Sequence, residues 1–262
     1  LEDPDRSLRE QVYHQINQRR LQDKEELNTL FSDLLQKRHQ VALNTGYSNY
    51  RDFRFTELGR FDYRKEDCYQ FHEAVKLHVM PLVNQLYELK KKKLGLDTLR
   101  PWDVEAEPAG INPLRPFSNS EELTQKTIDC FTRLNPFFGD CLRKMKEMGH
   151  LDLESRKGKA PGGYNCPLAE SGAPFIFMNA AGTLDDVTTM VHEGGHAIHS
   201  FLAHELELTG FKEYPTEIAE VASMSMELFS MDHWTVFFNT TEELKRAKEQ
   251  QLERVITIFP WI

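Results

Sequence analysis

Two histidines four positions apart, with a glutamate directly after the first, mark the segment "VHEGGHAIHS", Val191–Ser200. Side chains at positions i and i+4 of a helix project from the same face, so His192 and His196 can bind one metal ion together. Glu193 projects about 100° away, where its carboxylate can reach a water molecule on the metal. This spacing is typical of zinc-dependent hydrolytic sites, although the five-residue pattern also occurs by chance.

The flanking residues predict that this segment is an amphipathic helix. We expect the helix to begin near Asp185, with Thr183 as its N-cap and Asp186 completing a weak capping box. On a helical wheel of about 100° per residue, Asp185 and three histidines, including His199, share one face. The opposite face is apolar and consists of Val187, Met190, Val191, Ile198, Phe201 and Leu202.

A catalytic zinc ion usually has three protein ligands, so a third must come from elsewhere in the chain. The extended pattern HExxHxxGxxH is excluded, because His199 occupies its glycine position and Leu202 its last ligand position. The segment "YPTEIAEVASMSMELFSMDHW" predicts a helix with Glu217, Glu220 and Glu227 on one face. Small residues there predict close helix packing: Ala219, Ala222, Ser223 and Ser225. An acidic face buried in this way requires a cation.

The rest of the chain must position these two helices. In residues 1–149 apolar residues recur at helical spacing, and we expect a helical region there. Residues 150–262 differ, because Gly, Pro and small residues precede the histidine helix, and "PFIFMN", residues 174–179, is typical of a short strand. The sequence therefore predicts a mainly α-helical protein with a small β-sheet beside the histidine helix.

Composition argues against several classes of protein. The 262 residues include 41 acidic and 32 basic ones, a formal charge of −9, which argues against nucleic acid or an anionic membrane as a partner. No apolar run reaches the roughly 18 residues that a membrane span needs. Four scattered cysteines without a CxxC pair predict reduced thiols and a cytoplasmic location. The chain starts without Met and ends in "ITIFPWI", so we expect it to be part of a longer protein.

Three segments together resemble the thimet oligopeptidase and oligoendopeptidase F family of zinc peptidases, especially its bacterial branch. They are "RKGKAPGGYNC", "PFIFMNAAGTLDDVTTMVHEGGHAIHS" and "EIAEVASMSMEL", and they occur in the order found in that family. The resemblance implies a zincin-like catalytic region in residues 150–262, packed with the helical region 1–149. It also implies that the C-terminal part of the catalytic lobe is missing from this chain.

The resemblance assigns roles to individual residues. His192, His196 and Glu220 would bind one Zn2+ per chain, and Glu193 would be the general base. Groups behind the ligands would orient the imidazoles or pack against them: Asp185 or Asp186, Glu227 and His199. An edge strand would pair with the substrate backbone, and the residues expected there are Phe175, Ile176, Phe177 and Met178, with Gly162, Gly163 and Tyr164 shaping the same cleft.

Gly194 and Gly195 are unexpected inside a helix, where each costs about 1 kcal/mol relative to alanine. The resemblance expects glycine at position 195, where a side chain would crowd the cleft or a neighbouring backbone. At position 194, within the apolar stripe, relatives typically carry a large apolar residue. We therefore predict that a bulky neighbour, such as an aromatic ring, fills the space above Gly194.

By this resemblance the function is that of a zinc endopeptidase, which cleaves internal bonds of short peptides with a water molecule activated by zinc and a glutamate. Family members also use tyrosine or histidine donors to stabilise the oxyanion. No segment of this chain matches those donors, so we expect poor catalysis by this chain alone. Two alternatives remain, a peptide-binding relative that holds zinc without turnover and a helical structural protein with a fortuitous motif. Two histidines and a glutamate would also accept Mn or Co.

Overall fold

The computed structural model describes residues 1–261, which form ten α-helices, several short 3-10 or π turns and one three-stranded sheet. The predicted mainly helical fold with a small sheet is confirmed. Within residues 1–261, no helix combines the length and the apolar character that crossing a membrane requires. Contacts within the chain define two compact units, one formed by Leu1–Pro113 with the residues from Glu253 onward, the other by Leu114–Leu252.

The first unit consists of helices and their connections. These helices are α1 (Arg6–Gln22), α2 (Lys24–Asn44), α3 (Tyr50–Glu57), α4 (Lys65–Ala74) and α5 (Met80–Lys93). A buried ion pair ties α1 to the connection after α5, because both oxygens of the fully buried Asp103 accept hydrogen bonds from arginines of α1. The distances are 3.0 Å to Nη2 of Arg9 and 2.8 Å to Nη2 of Arg6. Such pairing is what makes a buried carboxylate tolerable.

The second unit contains the sheet and the helices around it. Its elements are α6 (Ser120–Leu134), α7 (Pro136–Glu147), β1 (Leu151–Glu154), β2 (Tyr164–Cys166), β3 (Phe175–Ala180), α8 (Leu184–His204), α9 (Thr216–Ser230) and the part of α10 (Thr241–Ile258) up to Leu252. This division differs from the predicted boundary after residue 149, because α6 and α7 belong to the second unit. Phe131 and Leu142 from these helices share one apolar core with Val187 and Ile198 of α8.

The sheet has the strand order β1-β3-β2, so β3 is its central strand. β1 pairs with β3 in parallel, and β2 pairs with it antiparallel, with Tyr164 opposite Phe177. The expectation that β3 is an edge strand is therefore wrong, because its backbone hydrogen-bonding groups are shared with neighbours on both sides. The alternating residues Ile176 and Met178 are buried in the core. Strand β2, which also contacts α8, lies at the sheet edge.

A buried lysine fastens the sheet. The side chain of Lys159 is only 1% exposed, and its ammonium group lies 3.0 Å from Oδ1 of Asp152. The same ammonium donates hydrogen bonds to the backbone carbonyls of Asp152, Glu154 and Met178. It also lies 4.4 Å from the centre of the Phe177 ring, within the range of a cation–π contact. One cation thus links β1 to β3.

Candidate metal centre

Helix α8 places two imidazoles one turn apart. The helix begins after Thr183, whose hydroxyl accepts a hydrogen bond from the backbone N–H of Asp186, while Oδ2 of Asp186 accepts one from the backbone N–H of Thr183. The predicted N-cap and capping box are thereby confirmed. Two turns further on, the rings of His192 and His196 lie 4.9 Å apart, nearly perpendicular to each other. Both side chains are largely buried, with 24% and 15% of their surface exposed.

Gly195 allows helix α9 to approach α8 closely at this turn. A Cβ atom at position 195 would lie 2.7 Å from Cα of Ser223 and 2.9 Å from the carbonyl oxygen of Ala222. These distances are shorter than a carbon atom tolerates. The expected crowding of a neighbouring backbone is confirmed, and two of the small residues expected to permit close helix packing form the contact.

Glu220 of α9 faces both imidazoles across this close contact. Its Oε2 lies 3.4 Å from Nε2 of His192, and its Oε1 lies 3.8 Å from Nε2 of His196. One ligand atom from each of the three residues lies within 4.8 Å of the others. In residues 1–261 this is the one group of three or more His, Cys, Asp or Glu side chains that meets this criterion. Of the three glutamates predicted on this face of α9, Glu220 is the one whose carboxylate faces Nε2 of both histidines.

Glu227 lies behind His192. Its Oε1 is 2.7 Å from Nδ1 of His192, and its side chain is 9% exposed. Burial by itself would lower the pKa of His192, but the hydrogen bond to Glu227 and the charge of that residue raise it overall. Burial and the nearby His192 instead lower the pKa of His196. Glu227 therefore holds the Nδ1 side of His192 and leaves Nε2 directed towards Glu220.

Glu193 is a buried carboxylate beside the two imidazoles. The residue is 7% exposed, and burial raises its pKa against the opposing effect of His192. A backbone hydrogen bond from Asn165, the middle residue of β2, also reaches this carboxylate. A carboxylate that is partly desolvated in this way is a stronger base than one in water.

Gly194 lies on the opposite side of α8 against an aromatic ring. A Cβ atom at position 194 would lie 2.8 Å from Cζ of Phe131, a residue of α6 that is fully buried. The prediction that a bulky neighbour fills this space is confirmed. The phenyl ring supplies the volume that a larger side chain at position 194 would otherwise provide.

The structure gives different surroundings to three other residues expected at the site. His199 stacks on Tyr214 with 3.8 Å between ring centres, and its Nδ1 is buried without a hydrogen-bond partner among residues 1–261. Asp186 forms the capping box, and Asp185 is an exposed residue of the first turn. Nδ1 of His192 lies against Glu227, and the backbone of Ala219 is hydrogen-bonded to His196. The role expected of either aspartate in orienting an imidazole stays a prediction.

The residues expected to shape the cleft lie in β2 or directly before it. Gly162 has a φ of +96°, a conformation that favours glycine. A Cβ atom at Gly163 would lie 3.2 Å from Cγ2 of Thr189 on α8, so this glycine lets the chain pass close to the helix. Tyr164 stacks on Phe177 with ring centres 4.9 Å apart. These residues therefore bring the sheet edge next to α8.

Comparison with known proteins identifies the family. The sequence profile described as peptidase family M3 matches residues 1–259. The chain belongs to peptidase family M3. It is 27% identical over 190 residues to an oligoendopeptidase F homologue of Lactococcus lactis, covering 72% of this chain and 29% of the relative. An oligoendopeptidase F homologue of Borreliella burgdorferi is 25% identical over 266 residues, covering 99% of this chain and 43% of the relative.

Solved structures share this fold. A structure of PZ peptidase A with an inhibitor superposes with a TM-score of 0.94 at 28% identity, covering 99% of this chain and 46% of that chain. The M3 chain described here therefore spans less than half the length of each of these relatives. The oligoendopeptidase F-like resemblance stated from the sequence is confirmed.

Gln251, a buried polar residue near the site, was not predicted from the sequence. Gln251 of α10 is 2% exposed, and its Nε2 donates a hydrogen bond to Oε2 of Glu227 at 2.8 Å. A signal was present in the sequence, because Leu244, Ala247 and Gln251 follow the i, i+3, i+7 spacing of a core-facing stripe. A glutamine in such a stripe indicates a buried polar partner.

Proposed function

We propose that this chain carries the metal-binding and proton-transfer part of a zinc-dependent endopeptidase that hydrolyses internal bonds of short peptides. The observation that carries the proposal is the convergence of His192, His196 and Glu220, with their ligand atoms within 4.8 Å, beside the buried carboxylate of Glu193. Membership of peptidase family M3 supports the reaction class. One Zn2+ per chain is the proposed cofactor.

The three donors fit zinc by their chemistry and spacing. Imidazole nitrogen and carboxylate oxygen bind zinc at about 2.0–2.2 Å, so neighbouring ligands of a tetrahedral ion lie about 3.4 Å apart. The separations of 3.4 Å and 3.8 Å between Glu220 and the two imidazoles are close to this value. Three protein ligands would leave a fourth position open, as catalytic zinc sites do.

Zinc, when bound, would supply a water molecule of lowered pKa and polarise the carbonyl of the scissile bond. Glu193 would accept a proton from the attacking water on a carboxylate oxygen and pass it to the nitrogen of the leaving amine as the C–N bond breaks. Glu227 would accept a hydrogen bond from Nδ1–H of a neutral His192, which leaves Nε2 as the nitrogen that binds the metal. Burial of Glu193 strengthens it as a base for this transfer.

Peptide substrates are proposed to add to the sheet edge formed by β2. This strand pairs with β3 on one side only, and its Asn165 contacts Glu193 through the backbone. An extended peptide on the other side of β2 would gain main-chain hydrogen bonds that do not depend on its side chains. Gly163 and Tyr164 would border such a peptide. A cytoplasmic location stays a prediction from composition.

The proposal is tested by metal analysis and peptide cleavage together. Wild-type chain purified with zinc and dialysed is expected to keep about one Zn2+, as the three-ligand site requires. Glu220→Ala is expected to lose the metal. Glu193→Gln should retain zinc and lose even the weak cleavage of a mixed peptide library that we expect of the wild-type chain, because the amide cannot accept the proton. Glu217→Gln, a neighbouring glutamate on the same helix, is the matched control and should retain both.

Two results would contradict parts of this proposal. Absence of stoichiometric zinc in the wild type would exclude the metal site. Zinc binding with peptide binding but without turnover, even in wild type, would favour the alternative of a catalytically impaired peptide-binding relative. The limited share of the relatives that this chain spans, 29% to 46%, is the observation that keeps this alternative open.

A further inference from the structure

Four side chains form a hydrogen-bonded ring across three helices of the second unit. The hydroxyl of Thr188 on α8 donates to Oε1 of Gln251 on α10 at 3.1 Å. Nε2 of Gln251 donates to Oε2 of Glu227 on α9 at 2.8 Å, and Oε1 of Glu227 lies 2.7 Å from Nδ1 of His192. Thr188 and His192 are one turn apart on α8, so the helix backbone closes the ring.

Three members of this ring are buried, so their hydrogen bonds cannot be exchanged for water. Thr188 is 1% exposed, Gln251 2% and Glu227 7%. A buried polar group that loses its partner pays the full cost of desolvation. The ring is therefore expected to persist in one arrangement.

The chemistry of the donors and acceptors sets the direction of every hydrogen bond in the ring. The carboxylate of Glu227 has no proton to donate, so the amide NH2 of Gln251 must face it and Oε1 must face Thr188. The hydroxyl of Thr188 supplies the proton for that second bond. With Oε2 of Glu227 occupied by the amide, Oε1 is the acceptor left for Nδ1–H of His192.

We propose that Gln251 is a positioning residue that holds Glu227 as an acceptor and thereby fixes the Nδ1–H tautomer of His192. This inference rests on the proposed function, because its use is to keep Nε2 of His192 free to bind metal. The hydrogen bonds of Gln251 go to Thr188 and Glu227, which are neither candidate metal ligands nor the proposed base. Gln251 acts through Glu227, because its hydrogen bond to Oε2 leaves Oε1 as the acceptor for His192.

Removing the amide would release this constraint. In a Gln251→Leu variant, Oε2 of Glu227 would be buried without its donor, and the carboxylate would be free to rotate away from Nδ1 of His192. With no acceptor fixed at Nδ1, the proton of a neutral His192 could move to Nε2, which faces the carboxylate of Glu220. That tautomer cannot bind metal through Nε2.

Nitrogen NMR of the imidazoles in metal-free protein tests the proposal directly. At a pH above the raised pKa of His192, where the imidazole is neutral, its ring nitrogens in the wild type are expected to report one tautomer, with the proton on Nδ1. Gln251→Leu is expected to give a mixture of tautomers or mainly Nε2–H. Thr127→Val is the matched control, because it removes another buried side-chain hydrogen bond of this unit, from Thr127 to the carbonyl of Leu123. The control should retain the wild-type tautomer.

Zinc affinity, measured by competition with a chelator, gives the second readout. Loss of a group that orients a metal-ligating histidine typically weakens binding about 10- to 100-fold, and we expect Gln251→Leu to fall in this range. Thr127→Val should bind zinc as the wild type does. Thr188→Val removes the hydrogen bond at the other end of the Gln251 amide and should cause a smaller loss of zinc affinity. This variant keeps the test available if Gln251→Leu does not fold.

The two proposals fail in distinguishable ways. Lack of zinc binding by the wild type would overturn the proposed function, while the tautomer of metal-free His192 would still decide the role of Gln251. An unchanged tautomer and unchanged zinc affinity in folded Gln251→Leu would overturn the role of Gln251 and leave the proposed function intact. If only Thr188→Val folds, the same unchanged pair of readouts in that variant overturns it.

Discussion

Replacing Gly195 with alanine puts one methyl group at the contact between the two helices that carry the three candidate ligands. The added Cβ would lie 2.7 Å from Cα of Ser223, and that neighbour is backbone, which cannot rotate away as a side chain could. Carbon atoms pack at about 3.5–4.0 Å. Helices α8 and α9 must therefore separate by roughly 1 Å at this point.

Two opposing effects determine the stability of Gly195→Ala. Alanine is favoured over glycine inside a helix by about 1 kcal/mol. Overpacking a close contact costs about 1–3 kcal/mol. Because the clash is against backbone, we place the cost at the upper end of that range and expect a net destabilisation of about 1–2 kcal/mol. Zinc affinity should be more sensitive to this separation of the helices than overall stability is, since metal ligands must be held within about 0.5 Å of their working positions.

Zinc affinity and urea unfolding, measured on the same preparations, test this reasoning. Gly195→Ala should bind zinc at least about ten-fold more weakly, which corresponds to about 1.4 kcal/mol. Gly194→Ala is the control, because its Cβ would lie 2.8 Å from the Phe131 ring on the opposite side of α8. It should lower stability and spare zinc binding. Wild-type affinity in Gly195→Ala, or an equal loss in Gly194→Ala, would refute the argument.

Three further predictions concern buried charges. Asp103→Asn should destabilise the first unit by about 3–5 kcal/mol in urea unfolding, because Arg9, which is 5% exposed, loses its counter-charge. A change in the free energy of unfolding below about 1 kcal/mol would contradict this prediction. Burial raises the pKa of Asp103, but hydrogen bonds, chiefly from Arg6, lower it to about 2 overall. The stabilisation that ionised Asp103 gives the folded protein is therefore complete above the ordinary pKa of 3.8 and is lost as pH falls through about 2. Circular dichroism between pH 5 and 2 should therefore show an acid transition in the wild type that is smaller in the variant. Lys159→Met should destabilise the second unit by about 3 kcal/mol, whereas Lys157→Met, at an exposed position nearby, should change stability by less than about 0.5 kcal/mol.

Local sequence patterns predicted helix α8 of the candidate site well. The N-cap at Thr183 and the capping box depend on residues within one turn of each other. The close helix contact at Gly195 could be predicted because small side chains allow two helices to approach closely. The aromatic neighbour of Gly194 could be predicted in kind, because close-packed cores leave few empty volumes. Its identity as Phe131, 63 positions earlier in the chain, could not, since nothing local relates the two positions.

The sheet and the boundary between the units depended on tertiary pairing. An apolar run such as "PFIFMN" has the same sequence pattern at the centre of a sheet as at its edge, so the position of β3 had to come from its partners. β1 contains only four residues, Leu151–Glu154, too few for a clear alternation. The assignment of α6 and α7 to the second unit likewise follows from the core they share with α8.

Successive glycines fix one turn of α8 from two directions. The ring of Phe131 presses against Gly194, and the backbone of α9 presses against Gly195, so the helix can neither rotate about its axis nor slide without a collision. This restraint comes from an apolar core and from backbone contacts, not from a bound ion. The three candidate ligands are thus preorganised, and binding a metal need not repay the entropy of ordering them. Unlike a zinc finger, whose fold forms only when metal binds, this unit should remain folded after chelation.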